Sequence, residues 1–516
     1  MTNYTYTIPD SAPGPVWNTP QAVMSSRIIL ISLVVSICVK CLLWPSYRST
    51  DFDVHRNWKS IVQLPVSQWY FENTCEWTLD YPPFFAYFEY ALSSLAMNLM
   101  PGSNMLQIEQ YHNAENATVQ FMRSTVIVSD LVLVYAIWNY CHLIRCSRAA
   151  TGLSMILVVL NGGLLLIDHV HFQYNGMLLG LLILCCACAH TGNYLVMAAL
   201  FCLLVLSKHL FAPFALVFAA YLIKHYCVSR PTADGLTASF SLRRFLHLLN
   251  IALFALLLAF GPFVWGQFKD DLAEFGNDPR YSHVSIFLGA AKAQLVQMGV
   301  RLFPFGRGLL HAYPAANVWV LYYALDRLVL VVGKRLGLPL DSSGLSFTSG
   351  IVTDIAPHVL PKVTAVHCLS LVVAALMPVL YKIAVSPHDK VSPSVFVKSL
   401  LFCSLSTFML GYHVHEKAIL ICIILCSLLV CRNMKTAVSD QGSPAGTGTV
   451  DDSAADPEHV AAIKTNELEK DREAGVALLM LRLCLIGVYS LFPLFSSSPA
   501  MLFPKGMSCG VWSDYS

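Results

Sequence analysis

Apolar stretches long enough to cross a lipid bilayer recur along nearly the whole chain, and this most limits what it can fold into. A transmembrane helix needs about 20 mostly apolar residues. Candidate spans fall at 28–44, 124–140, 151–167, 176–190, 193–206, 209–223, 248–266, 316–333, 364–381, 394–411, 415–431 and 475–495. Only 12% of the 516 residues are charged, where a soluble protein carries about 25%. The sequence therefore predicts an all-α polytopic membrane protein with about 12–14 spans and excludes an ordinary soluble enzyme. A net charge of +2 offers nucleic acid no electrostatic attraction. The segment 345–361 is borderline and reads as re-entrant or broken.

Loop charge orients the chain, because Lys and Arg are retained on the cytoplasmic side. Arg145 and Arg148, the group Lys224, Arg230, Arg243 and Arg244, and the pair Lys334 and Arg335 mark that side. Residues 45–122 hold eight acidic and three basic residues and form a large first loop on the opposite, lumenal face, joined there by a second large loop at 267–315. Segment 345–361 must then cross if residues 413–417 are to reach that face. The expected divisions are a cytoplasmic N-terminal tail at 1–27, a transmembrane body at 28–431, a flexible cytoplasmic linker at 432–474 and a late span with the C-terminus at 475–516. The linker contains GSPAGTGTVDDSAADPE, a composition that buries too little apolar surface to fold.

Ionisable residues collect at the lumenal helix ends. Ser49-Thr50-Asp51-Phe52-Asp53-Val54-His55-Arg56-Asn57-Trp58 follows the first span, and Trp77-Thr78-Leu79-Asp80-Tyr81-Pro82-Pro83 lies further along the loop. Aromatics here are by default an interfacial belt, but aromatic faces beside carboxylates also suit a sugar. Asp51-Phe52-Asp53 could offer hard oxygens to a divalent cation. On a helix its two side chains diverge by about 200°, so chelation would need a turn. One carboxylate could instead act as general base. Charged groups at membrane depth are costly and mark function by default. They include Asp168, His169, His171, Lys208, His209, His413, His415, Glu416 and Lys417; Arg301 and Arg307 suit a phosphate through their planar forks. Each taken singly is equally a helix cap or a snorkelling cation. The sequon Asn116-Ala117-Thr118 falls in the lumenal loop.

Together these motifs, with His171-Phe172-Gln173-Tyr174-Asn175-Gly176, Ser207-Lys208-His209, Arg301-Leu302-Phe303-Pro304-Phe305 and His415-Glu416-Lys417-Ala418-Ile419-Leu420, resemble the endoplasmic reticulum glucosyltransferases that use dolichyl phosphate glucose. The resemblance runs from about residue 28 to 431. The contexts Val54-His55-Arg56-Asn57-Trp58, His311-Ala312-Tyr313 and Ala324-Leu325-Asp326 are closer to the branch that adds a second glucose than to the branch that adds the first. The resemblance implies a GT-C membrane fold. It also implies inverting α-1,3 transfer of glucose from dolichyl phosphate glucose to the monoglucosylated lipid-linked oligosaccharide, with a lumenal active site and no metal or other cofactor. It assigns Asp51 as general base and His415 to the donor phosphate. Asp53, Arg56, Trp58, Asp80, Lys208, His209, Arg301, Arg307 and Lys417 are further candidates for donor or substrate contact. The alternatives are the first-glucose sister enzyme, a related mannosyltransferase and a polytopic transporter; a transporter would place its charges mid-span in broken helices. The 432–474 linker and the short C-terminus depart from the family pattern.

Overall fold

A computed structural model describes residues 20–108, 114–229, 239–303, 308–310, 315–338 and 357–440. The N-terminal half comprises α1 (Pro20–Leu42), α2 (Thr50–Ile61), α3 (Pro83–Leu99), α4 (Asn116–Ser129), α5 (Leu131–Leu143), α6 (Arg148–Val159), α7 (Asn175–Thr191) and α8 (Tyr194–Ser207). There follow α9 (Ala215–Leu222), α10 (Leu242–Phe275), α11 (His283–Leu302), α12 (Val318–Arg335), α13 (Ala365–Val385), α14 (Pro393–Leu410) and α15 (Ile419–Asp440). Polar caps start several of them: Ser147, Ser241, Ser282, Asn317 and Thr364 each accept a backbone N–H of the first turn. Gly192, at φ 70°, ends α7 in the left-handed conformation that permits the immediate reversal into α8.

The all-α polytopic architecture follows. Among the described residues, six helical runs are long and apolar enough to cross a membrane: Asn116–Leu143, Arg148–Val170, His209–Cys227, Leu242–Phe275, Ala365–Val385 and Pro393–Leu410. Leu30–Leu42, Asn175–Thr191 and Tyr194–Ser207 are shorter apolar helices. The expected span at 28–44 falls largely within the 23-residue α1, those at 176–190 and 193–206 are helices of less than full crossing length, and those at 316–333 and 415–431 correspond to α12 and to the turn leading into α15. The span at 475–495 and the tail 1–19 lie outside the described residues. Helix α1 starts at Pro20, inside the expected tail, and α15 carries regular structure past residue 431 to Asp440, into the expected linker; the rest of that linker is outside the described residues.

Two corrections concern the loops. The described residues of 45–122 form a folded helical cap, and its Phe52, Trp58, Tyr70 and Phe85 share a buried aromatic core with Phe172, Tyr174 and Phe263. Residues 267–302 extend α10 and then turn back as α11, making a helical hairpin in place of an open loop. Helix α10, 34 residues, is about 50 Å long, more than the hydrocarbon needs, so part of it leaves the bilayer and packs on the cap. Of the segment expected at 345–361, residues 345–356 lie outside the described residues. Its described end packs on α12: His358, Val359 and Leu360 donate backbone N–H groups to Asp326, and the Tyr322 hydroxyl donates to Pro361 O.

The main core lies where α5 and α7 cross. Gly180 makes that approach possible: a Cβ there would stand 2.8 Å from Leu133 N and 2.9 Å from Val132 C, both unyielding backbone. Gly180→Val is expected to destabilise the protein by about 1–3 kcal/mol through overpacking, with Gly180→Ala falling between it and wild type. Thermal unfolding of purified protein in detergent checks this, and an unchanged midpoint in Gly180→Val would contradict the contact.

Candidate active site

Three chain segments meet at one carboxylate. Asp51 lies in the first turn of α2, and its Oδ2 receives hydrogen bonds from Gln173 Nε2 at 2.6 Å and Lys417 Nζ at 2.7 Å, with His171 Nε2 at 3.3 Å. Among the described residues no partner reaches Oδ1. The side chain is 26% exposed while Lys417 and His171 are each 11% exposed, so a substrate can reach the carboxylate from the open side. Burial, the largest influence, raises the carboxyl pKa, but the Lys417 ammonium and the His171 contact outweigh it. The group is held well below the usual carboxylate range and is ionised at neutral pH.

The turn that supplies two of these donors is unusual. The helix Arg148–Val170 finishes in a π-helical turn at Leu165–Val170, a widening often found at functional sites. Phe172 then takes φ 78°, a region that costs a bulky residue about 1–3 kcal/mol. The kink turns His171 and Gln173, two residues apart, onto the same oxygen. It is held in place by the Ser49 hydroxyl, which donates to His171 O, and by Arg123, which donates to His169 O and spans to Tyr47 O at 3.0 Å.

From Gln173 the network runs on. Asn175 Nδ2 donates to Gln173 Oε1 and to Asp168 Oδ1, each at 2.8 Å, and Asn175 Oδ1 accepts from Lys208 Nζ at 2.8 Å. Lys208 also sits 5.1 Å from the centre of the Tyr81 ring. The result is a continuous chain, Lys417–Asp51–Gln173–Asn175–Lys208, with a cation at each end. Asp80 acts electrostatically on both Lys208 and Arg301, while Arg301 Nε donates to Tyr70 O at 3.1 Å.

Beneath Asp51, α2 is fixed by a buried charge cluster. Glu89 of α3 accepts from Lys59 Nζ at 2.6 Å on one oxygen and contacts His55 Nδ1 at 2.7 Å on the other, and Lys59 also donates to the Tyr174 hydroxyl at 3.3 Å. His55 and Lys59 lie one and two helical turns after Asp51, so α3 grips the helix directly below the site. Burial pushes both His55 and Lys59 below their ordinary values; it would raise Glu89, but Lys59 and His55 hold that carboxyl below 4.5.

The remaining sequence candidates fall into place around this. Arg56 is fully buried, donating to Met105 O at 3.2 Å and Gln107 O at 2.8 Å, and Trp58 is buried with its indole N–H on Thr78 O at 3.0 Å. Both staple the cap around α2. Asp53 shares the first turn of α2 with Asp51 but points away from it, as the helical spacing requires. His209 lies against Phe303 at 5.6 Å. His415, 40% exposed, precedes Lys417 with Nδ1 3.1 Å from Glu416. Arg307, His311 and Tyr313 lie outside the described residues. Gln173 and Asn175, quoted within the His171–Gly176 motif but not singled out as candidate site residues, join the network. Their signal was the polar alternation His171, Gln173, Asn175 directly after an apolar span.

Glu89→Leu is expected to cost about 3–5 kcal/mol by stranding the Lys59 charge, and Glu89→Leu with Lys59→Met to recover most of that loss. Because the folded Glu89 pKa is lowered, its contribution is present in full above about pH 4.5 and lost as pH falls through the folded value. Thermal midpoints of wild type and both variants across pH test the cluster; a Glu89→Leu midpoint equal to wild type at neutral pH would refute it.

The chain matches the ALG6, ALG8 glycosyltransferase family over residues 36–440. It is 38% identical over 476 residues to a mouse protein named dolichyl pyrophosphate Glc1Man9GlcNAc2 alpha-1,3-glucosyltransferase, covering 90% of this chain and 77% of the relative. Proteins of the same name from Bos taurus and Arabidopsis thaliana are each 39% identical, covering 76% of this chain and 71% and 70% of the relatives. On its helical architecture, the match over residues 36–440 and these relatives, the chain belongs to the ALG6, ALG8 glycosyltransferase family.

Proposed function

We propose that this chain transfers glucose from dolichyl phosphate glucose, in α-1,3 linkage and with inversion, to the monoglucosylated oligosaccharide carried on dolichyl pyrophosphate. The site is read as lumenal in the endoplasmic reticulum membrane, consistent with the acid-rich cap and the basic loops on the other side. The observation that carries the reading is the pairing of Asp51 with Lys417: an ionised carboxylate beside a cation, half open at the end of a membrane bundle.

The acceptor hydroxyl oxygen attacks the anomeric carbon as the bond from that carbon to the donor phosphate oxygen breaks. The hydroxyl proton passes to Asp51, and the phosphate leaves with the bonding electrons as dolichyl phosphate. Lys417 supports both ends of this exchange. Its ammonium has three N–H donors and only one protein acceptor among the described residues, leaving two for an anionic oxygen. Lys208, on the far side of the Asp51 network, adds positive potential to the same region. His415, exposed and two residues before Lys417, is the further candidate for the donor phosphate. In this reading no metal takes part. Supporting that, Asp51 and Asp53 diverge on α2, and cationic donors already fill the inner oxygen of Asp51.

Purified protein offered acceptors bearing zero, one or two glucoses should act on the one-glucose form alone and keep its rate in chelator; transfer to the glucose-free form would instead identify the sister activity. Asp51→Asn should lower the rate by about 10² to 10⁴ without loss of fold. Lys417→Met should raise the donor KM by about 10- to 100-fold, the worth of one or two charged hydrogen bonds. A Lys417→Met enzyme with unchanged donor KM would remove that residue from the phosphate.

A further inference from the structure

Resting on the transfer reading above, we infer that Gln173 is a positioning residue for the reaction, the uncharged anchor that keeps Oδ2 of Asp51 turned inward so that Oδ1 takes the acceptor proton. All three donors on Asp51 converge on Oδ2, and among the described residues none touches Oδ1. The carboxylate is thus used asymmetrically, with one oxygen for orientation and the other facing the open side.

The three donors are not equivalent. A donor phosphate draws the Lys417 ammonium toward itself, since the same cation has two further N–H groups to give. Every increment of that attraction weakens its hold on Asp51 at the moment the carboxylate must stay aligned. His171 is the more distant donor, at 3.3 Å. Gln173 has the shortest contact, 2.6 Å, and carries no charge that a phosphate could attract. It is also the best secured, because Asn175 donates to its amide oxygen at 2.8 Å and thereby fixes which end of the amide faces Asp51. Asn175 is in turn pinned by Lys208 and Asp168. The strained Phe172 has a use here, as the residue whose backbone puts Gln173 on this oxygen.

Other ionisable groups act on the same carboxylate, so any titration reads their sum. Lys417 and His171 face it directly; His55 from α2, Tyr81 from the cap and Lys208 from the end of α8 act from further away. Removing Gln173 leaves these in place and takes away only a neutral donor to the ionised form, so the apparent pKa of Asp51 must rise.

The test uses the full chain in detergent and two readouts. The first is carbodiimide labelling of Asp51 across pH, quantified by mass spectrometry against exposed Glu76 as reference; the second is steady-state glucose transfer. In wild type Asp51 should label with a midpoint below that of Glu76. In Gln173→Met the midpoint should rise, the acid limb of kcat/KM should move up with it, and kcat should fall by about 10²-fold with little change in donor KM. Gln173→Glu should regain activity only where its own carboxyl is protonated and can donate. An unmoved midpoint and acid limb in Gln173→Met overturn the proposal and leave a packing role. A wild-type midpoint at or above that of Glu76 overturns it whichever variants fold. The labelling needs no substrate, so wild-type protein that transfers no glucose would refute the functional reading while leaving the positioning of Asp51 still measured.

Discussion

A carboxylate that must stay ionised while partly buried at a membrane surface is the constraint around which this protein is arranged. Leaving water costs Asp51 more than its own helix can return. The deficit is made up by donors from two other parts of the chain, the 171–173 turn and the 416–418 turn. Those segments are hundreds of residues apart in sequence, and they meet only because each sits at the same end of an antiparallel helix. The bundle can be read as the device that brings helix ends to one level, where helices stop and polar backbone and side chains are tolerated.

The cap solves a second electrostatic problem. Helix α2 must keep Asp51 in register with the donors on the 171–173 and 416–418 turns, and an apolar contact alone would let it slide. A Glu89 carboxylate shared between His55 and Lys59 fixes both rotation and register along two successive turns, at the cost of burying charge. The same device appears at the other wall of the site, where Asp130 accepts from Lys40 at 2.6 Å and contacts His169 at 2.8 Å. Asp130 stands at the break between α4 and α5, so that cluster ties α1 and the π-helical turn to one point. The donors on Asp51 and the helix that carries Asp51 are thus anchored independently.

Much of this was legible from one sequence. Apolar runs gave the all-α polytopic architecture, and the Asp51 and Lys417 motifs could be picked out because charge at membrane depth is expensive. What the pattern could not supply was pairing. Nothing local says that Lys417, and not its neighbour His415, reaches Asp51; the 416–418 turn decides that by rotating alternate side chains apart. Arg56 and Trp58 looked like ligands because they are large, polar and close to Asp51 in sequence, but both are buried and spend their donors on backbone carbonyls of the cap. Gln173 was not singled out for the opposite reason: uncharged residues carry no penalty that would flag them, and its importance comes from a φ angle that no spacing rule predicts.

That φ angle also explains why the donors come from a turn. On an α-helix, residues two apart point about 200° away from each other, so His171 and Gln173 could not share an acceptor. On a strand they could, but a strand at membrane depth leaves backbone groups unpaired. Ending a span in a π-helical turn and passing one residue through the left-handed region gives the strand-like placement without a strand. It costs a Phe in a conformation it disfavours, and the Phe172 ring offsets that by burying completely against Phe52 of α2, 5.1 Å between centroids. The strained residue is therefore also the one that packs the turn onto the helix bearing Asp51, so strain, packing and the alignment of the carboxylate are one structural fact.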